Sequence, residues 1–106
     1  MKNLTAADLF AAKPEVTRFE VKGQGFIFAK QFNAHDRKAI TTFCGKDFDK
    51  GMIANIIYGI CDEDGKLLFK EKDYSKILAM KETVIAYMFA AVTQVNKMDE
   101  ITIAKN

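Results

Sequence analysis

The residues able to do chemistry in this chain are few and scattered. There is one histidine, His35, and one serine, Ser75. A Ser-His-acid relay would need both, and neither lies in a nucleophile-elbow or similar context. His35 follows Asn33-Ala34 and precedes Asp36-Arg37, which reads as the exposed first turn of a helix. Cys44 and Cys61 are the only cysteines. With His35 they would make three ligands at irregular spacing without a C-x-x-C pair, an improbable zinc set. The run Asp62-Glu63-Asp64-Gly65 needs testing as a calcium loop. With Gly65 at the sixth loop position, Asp62, Asp64 and Glu71 fall on positions three, five and twelve. Ile60 then stands first and Leu68 ninth, and neither offers a side-chain oxygen, so a hairpin turn is the better reading. Gly23-Gln24-Gly25 lacks the third glycine and following helix of a phosphate loop and also reads as a turn. Asp47 and Asp49 beside Lys46 and Lys50 suit a solvated loop. This inventory predicts no enzyme, no metal, no cofactor and no small-molecule substrate.

The elements that would carry these residues can be read from periodicity. Thr5-x-x-Asp8 resembles a capping box and opens a short helix to about Ala12, closed by Pro14. Residues 15–22 alternate as a strand, with Phe19 and Val21 on one side and Arg18, Glu20 and Lys22 on the other. Gly23 and Gly25 supply the turn of an N-terminal β-hairpin, and residues 26–32 return. Asn33 caps a second helix that ends before Gly45, with Ala39, Ile40 and Phe43 as its stripe. Lys46 to Gly51 reads as a loop. Residues 52–61 are ambiguous: Ile53, Ile56, Ile57 and Ile60 have helical spacing but β-branched density, and a helix passing into a strand at 58–61 satisfies both. A second short hairpin around the DEDG turn is expected, with Lys66 to Phe69 as its return strand. Asp73 is expected to cap a short helix over 74–80. A long C-terminal helix from about Glu82 to Lys97 carries Ile85, Met88, Phe89, Val92 and Val95 as its core stripe. Its stretch Val84 to Val92 is apolar on every face, which fits either a central core helix or burial against a second chain. Ile101-Thr102-Ile103 adds a final strand or frays.

Size and composition bound the answer further. At 106 residues, the chain is read as one domain over 1–106, α+β in class, with no linker or repeat. Its 49% apolar and 28% charged residues are those of an ordinary globular protein. The net charge is only +2, and all its cations but Arg18 and Arg37 are lysine. That argues against a nucleic-acid partner, which would ask for a denser, Arg-rich basic stripe. The apolar run Val84–Val92 is far too short for a membrane span, and no signal peptide is read at Met1-Lys2-Asn3-Leu4. A cytoplasmic protein with two buried, reduced thiols is expected.

The order of elements is similar to that of a known family. The segments "FIFAKQFNAHDR", "ICDEDGKLLFKEKDYSKILAM" and "TVIAYMFAAVTQVNKM" resemble tail assembly chaperones of long-tailed bacteriophages. The matching features are Lys30 with Asn33; Asp62, Asp64, Gly65 and Phe69; Asp73; and Asn96, across roughly residues 10–97. The resemblance implies a non-enzymatic protein that coats the aggregation-prone tape measure protein, helps recruit tail tube protein to it, and is absent from the finished virion. It also implies a homo-oligomer. Apolar surface on an α+β module can shield another chain's exposed stripes without ATP, and Met and Phe give adaptable contacts. The residues expected at partner contacts are Phe26 and Phe28 at the hairpin tip and Tyr87, Phe89 and Val92 on the terminal helix. A competing reading is a small structural tail or head-tail completion subunit that stays in the particle.

Overall fold

The structure, a computed structural model, describes residues 1–97. The expected segment at 101–103 lies outside them. In chain order the elements are α1 (Ala6–Ala11), β1 (Val16–Val21), β2 (Gly25–Lys30), α2 (Ala34–Cys44), α3 (Phe48–Gly59), β3 (Ile60–Cys61), a 3-10 turn (Glu71–Asp73), α4 (Tyr74–Leu78) and α5 (Glu82–Val95). The strands form one antiparallel sheet in the order β1-β2-β3. This is a small α+β fold, as the patterning indicates.

The hairpin forms where alternation and glycine place it. The Gln24 N–H donates to the Val21 carbonyl at 2.8 Å, and Gly23 takes φ +78°, a conformation costly for any side chain. The register sets Phe19 opposite Ile27 on the face toward the helices, and Arg18 opposite Phe28 and Glu20 opposite Phe26 on the other. Ala29, fully buried in the central strand, lets α5 lie over β2. α2 begins and ends as its capping signals predict, at Asn33 and Gly45.

The isoleucine-rich segment is helix through Gly59 and strand only at Ile60–Cys61. The helix starts earlier than expected, at Phe48, because the Asp47 carboxylate accepts the Lys50 N–H at 3.1 Å. Lys46 to Gly51 is therefore not all loop. Three isoleucines accept helical geometry because Ile53, Ile56 and Ile57 are all buried, and burial outweighs a small propensity cost, while Ile60, equally buried, is already extended. Gly59 allows the closest approach in the core: a Cβ there would stand 2.6 Å from both γ-carbons of Val92 on α5.

Three further expectations are corrected. The second hairpin shrinks to one bridge, Cys61 opposite Leu67; after the Leu68 N–H reaches the Ile60 carbonyl, the chain turns away, so Lys66–Phe69 is not a strand. Asp73 does not cap α4. Its carboxylate turns back to accept the Lys70 N–H at 2.8 Å and closes the 3-10 turn, and α4 stops at Leu78. A C-terminal helix apolar on every face is not found. α5 has 14 residues, ends at Val95, and exposes Glu82, Thr83, Ala86, Ala90, Thr93 and Gln94 while burying Met88, Ala91 and Val92. The unbroken apolar run reflects alanines facing outward, where they bury little area.

Candidate functional site

An apolar cleft of about 590 Å³ opens between the turn end of the hairpin and the first half of α5. Val21, Phe26 and Ile27 line it from the hairpin, Val84, Tyr87 and Met88 from α5, and Leu68, Phe69 and Met80 from the connection between them. Its mouth carries large side chains that the core does not use: Phe26 is 57% exposed and Leu68 55%. Burying either one fully against another chain would gain on the order of 1 kcal/mol or more. Two contacts hold the walls. The Tyr87 hydroxyl donates to the Glu20 carbonyl, tying α5 to the edge of β1. The Arg18 guanidinium lies 4.3 Å from the centre of the Phe26 ring. Among the described residues its lining is mainly apolar, with Lys22, Gln24, Thr83 and the Tyr87 hydroxyl as its polar side chains.

The opposite end of the hairpin is closed by polar groups. Asn96, the residue after α5, accepts the Phe32 N–H at 2.8 Å through Oδ1. Its Nδ2 donates to the carbonyls of Lys30 at 3.1 Å and Val92 at 3.0 Å. Lys30 Nζ meets Asp36 Oδ2 at 2.7 Å, and the same oxygen accepts the Asn33 N–H at 3.0 Å. Lys30, Asn33, Asp36 and Asn96 thus join the ends of β2 and α5 to the start of α2. Asp62 works similarly in its turn, its Oδ1 accepting the N–H groups of Asp64 and Lys66, both at 2.9 Å, with Gly65 at φ +84°. In this fold these residues are junctions that set the positions of the elements.

The five expected contact residues fall in different places. Phe26 and Tyr87 face the same cleft. Phe28 is half-buried on the sheet face opposite the helices, across from Arg18 and Cys61. Phe89 lines a separate shallow groove with Phe48 and Met52. Val92 is 1% exposed and belongs to the core cluster with Ile53, Ile56 and Ile57, so its work is internal packing rather than partner contact. Leu68 was not among the expected residues. Two adjacent leucines after a tight turn were the available signal, since an extended chain cannot bury both.

Both cysteines are free, Cys61 buried and Cys44 only half-buried, against the expectation that both are buried. Burial pushes the Cys61 thiol above its ordinary range, the Asp62 charge adds to this, and Lys30 partly opposes it. Burial also raises the Tyr58 phenol, with Glu71 adding to the effect. His35 is exposed at the first turn of α2. Among the described residues, no three His, Cys, Asp or Glu side chains converge on one point, and no helix is long and apolar enough to cross a membrane. No family model matches the chain, and neither a curated protein nor a solved structure matches it at a significant level.

Proposed function

We propose that this chain is a tail assembly chaperone of a long-tailed bacteriophage. On this reading it is a non-enzymatic, oligomeric protein of the bacterial cytoplasm. It covers apolar stripes of the tape measure protein, helps bring tail tube subunits to it, and leaves before the particle is complete. The ordered motif set from Lys30 to Asn96 supports the family. The observation that carries the activity is the cleft: Phe26, Leu68 and Tyr87 surround an apolar trough that no element of the described chain fills. A helical client bearing one apolar stripe could lay it there, with Met80 and Met88 adjusting to its side chains. α5 contributes Val84, Tyr87 and Met88 to that contact.

The test is co-expression with the neighbouring tape measure protein, scoring client solubility and co-purification. The expected result is a soluble complex, lost in the pair Phe26→Asp with Leu68→Asp, whose circular dichroism and melting match the parent. An insoluble client beside a well-folded chain, together with the chain's presence in purified virions, would favour the structural-subunit reading. Loss of the fold in the double variant would place these side chains in the core instead.

A further inference from the structure

We propose that the edge of β1 left unpaired among the described residues pairs antiparallel with the same edge of a second copy, joining two three-stranded sheets into one across a two-fold axis at Phe19. The inference concerns how copies meet, and it stands whether or not the chain binds a tape measure protein. Among the described residues β1 is an outer strand of the sheet, and α5 packs mainly over β2, reaching the β1 edge at Glu20 through Tyr87. Which of its main-chain groups face outward follows from the ladder. The Gln31 N–H donates to the Glu15 carbonyl at 2.9 Å, so residues 15, 17, 19 and 21 face β2. The N–H and C=O groups of Val16, Arg18 and Glu20 therefore point away from the sheet. The Tyr87 hydroxyl reaching the Glu20 carbonyl from α5 agrees with that direction. A carbonyl oxygen has two lone pairs, so this bond leaves room for a partner's N–H.

The side chains select one register. With the axis at Phe19, Arg18 stands opposite Glu20 of the second copy and Glu20 opposite its Arg18. Both of these are outward-facing positions that exchange main-chain hydrogen bonds. On the other face Thr17 meets Val21 and Phe19 meets its own copy, so apolar contact is matched to apolar contact. Moving the axis by one residue sets Arg18 against Arg18, or Glu20 against Glu20 with Arg18 against Lys22, and like charges directly opposite are unfavourable. A half-step places outward groups against inward ones and forms no ladder. The strand is thus self-complementary in charge at the one register that uses its whole length, which identifies the occupant of this edge as a second copy. Arg18, Glu20 and Thr17 are exposed in the single chain and open to such pairing. An exposed edge strand without proline is a site for strand addition unless something covers it.

Sedimentation velocity of the full chain over a range of concentrations should show a monomer–dimer equilibrium. Arg18→Glu and Glu20→Arg should each raise the dimer Kd by about tenfold or more, because each turns two attractive cross-strand pairs into repulsive ones. The double exchange R18E/E20R should restore the parent Kd, a rescue that damage to the fold could not produce. As a second readout, the amides of Arg18 and Glu20, which no strand among the described residues pairs, should exchange slowly in concentrated solution and quickly on dilution. A chain that stays monomeric, a dimer with rapidly exchanging Arg18 and Glu20 amides, or a double variant that fails to recover would each overturn the proposal.

Discussion

The chain builds the same small device twice and puts it to different use. At α1, Thr5 and Asp8 form a capping box and Lys2 reaches the Asp8 carboxylate at 3.3 Å. At α2, Asn33 and Asp36 form the box and Lys30 reaches Asp36 at 2.7 Å. In both, the lysine stands six residues before the aspartate. The local chemistry is nearly identical, but the surroundings are not. The α1 ion pair has side chains 73% and 32% exposed, and its helix buries no residue. The α2 pair is 15% and 14% exposed, and Asn96 clamps the main chain of the same lysine to the end of α5. A sequence motif therefore places a cap. What the cap is worth depends on what is packed around it, since exposed ion pairs contribute little and a desolvated charge that loses its partner costs much.

The sharpest way to break this parallel is to remove the α2 carboxylate. Asp36→Ala leaves the Lys30 ammonium largely desolvated without a counter-charge and strips the Asn33 N–H of its acceptor. A loss of about 2–3 kcal/mol in chemical denaturation is expected. Asp36→Asn should recover part of it by keeping a polar partner. A variant melting like the parent would show that the buried pair carries no more than the exposed one. Next in size is Asn96→Ala, which leaves the half-buried Phe32 N–H unpaired and frees the carbonyl of Lys30; about 1–2 kcal/mol is expected. Asn96→Asp separates the two bonds, because it keeps the acceptor for Phe32 and loses both donors.

The same contrast explains what could be read in advance. Devices closed within a few residues were legible: the Thr5 and Asn33 caps, the glycine turn of the hairpin, and the Asp62 turn. Asp47 and Asp73 show the limit, since an aspartate can bind an N–H ahead of it or behind it. Asp47 was free to start a helix at Phe48, while Asp73 turned back to Lys70. The candidate site was half legible. Phe26 and Tyr87 were named from type and position, but Tyr87 and Val92 stand five residues apart, about 140° around a helix, so they cannot share a face. Choosing between them required knowing which side α3 covers. That information lies in the approach of Gly59 to Val92, between segments far apart in sequence.

The smallest expected effect falls on the α1 box and depends on pH. The Thr5 N–H and hydroxyl, with the Lys2 ammonium, hold the Asp8 carboxyl below its ordinary range. A carboxyl depressed in the folded state adds stability above its unfolded pKa and loses it as pH falls through the folded value. The α1 cap is therefore intact at neutral pH and releases only below the usual aspartate range, starting where Asp8 begins to protonate. Because α1 buries nothing, its release should be local. Amide shifts of Thr5 and Asp8 should titrate together at acid pH, separately from the global unfolding of the domain. Asp8→Ala should abolish the first titration and leave the global midpoint where it was. If instead α1 and the domain unfold in one transition, then α1 is packed more firmly than its exposed Leu9 and Phe10 indicate, and the two boxes are equivalent after all.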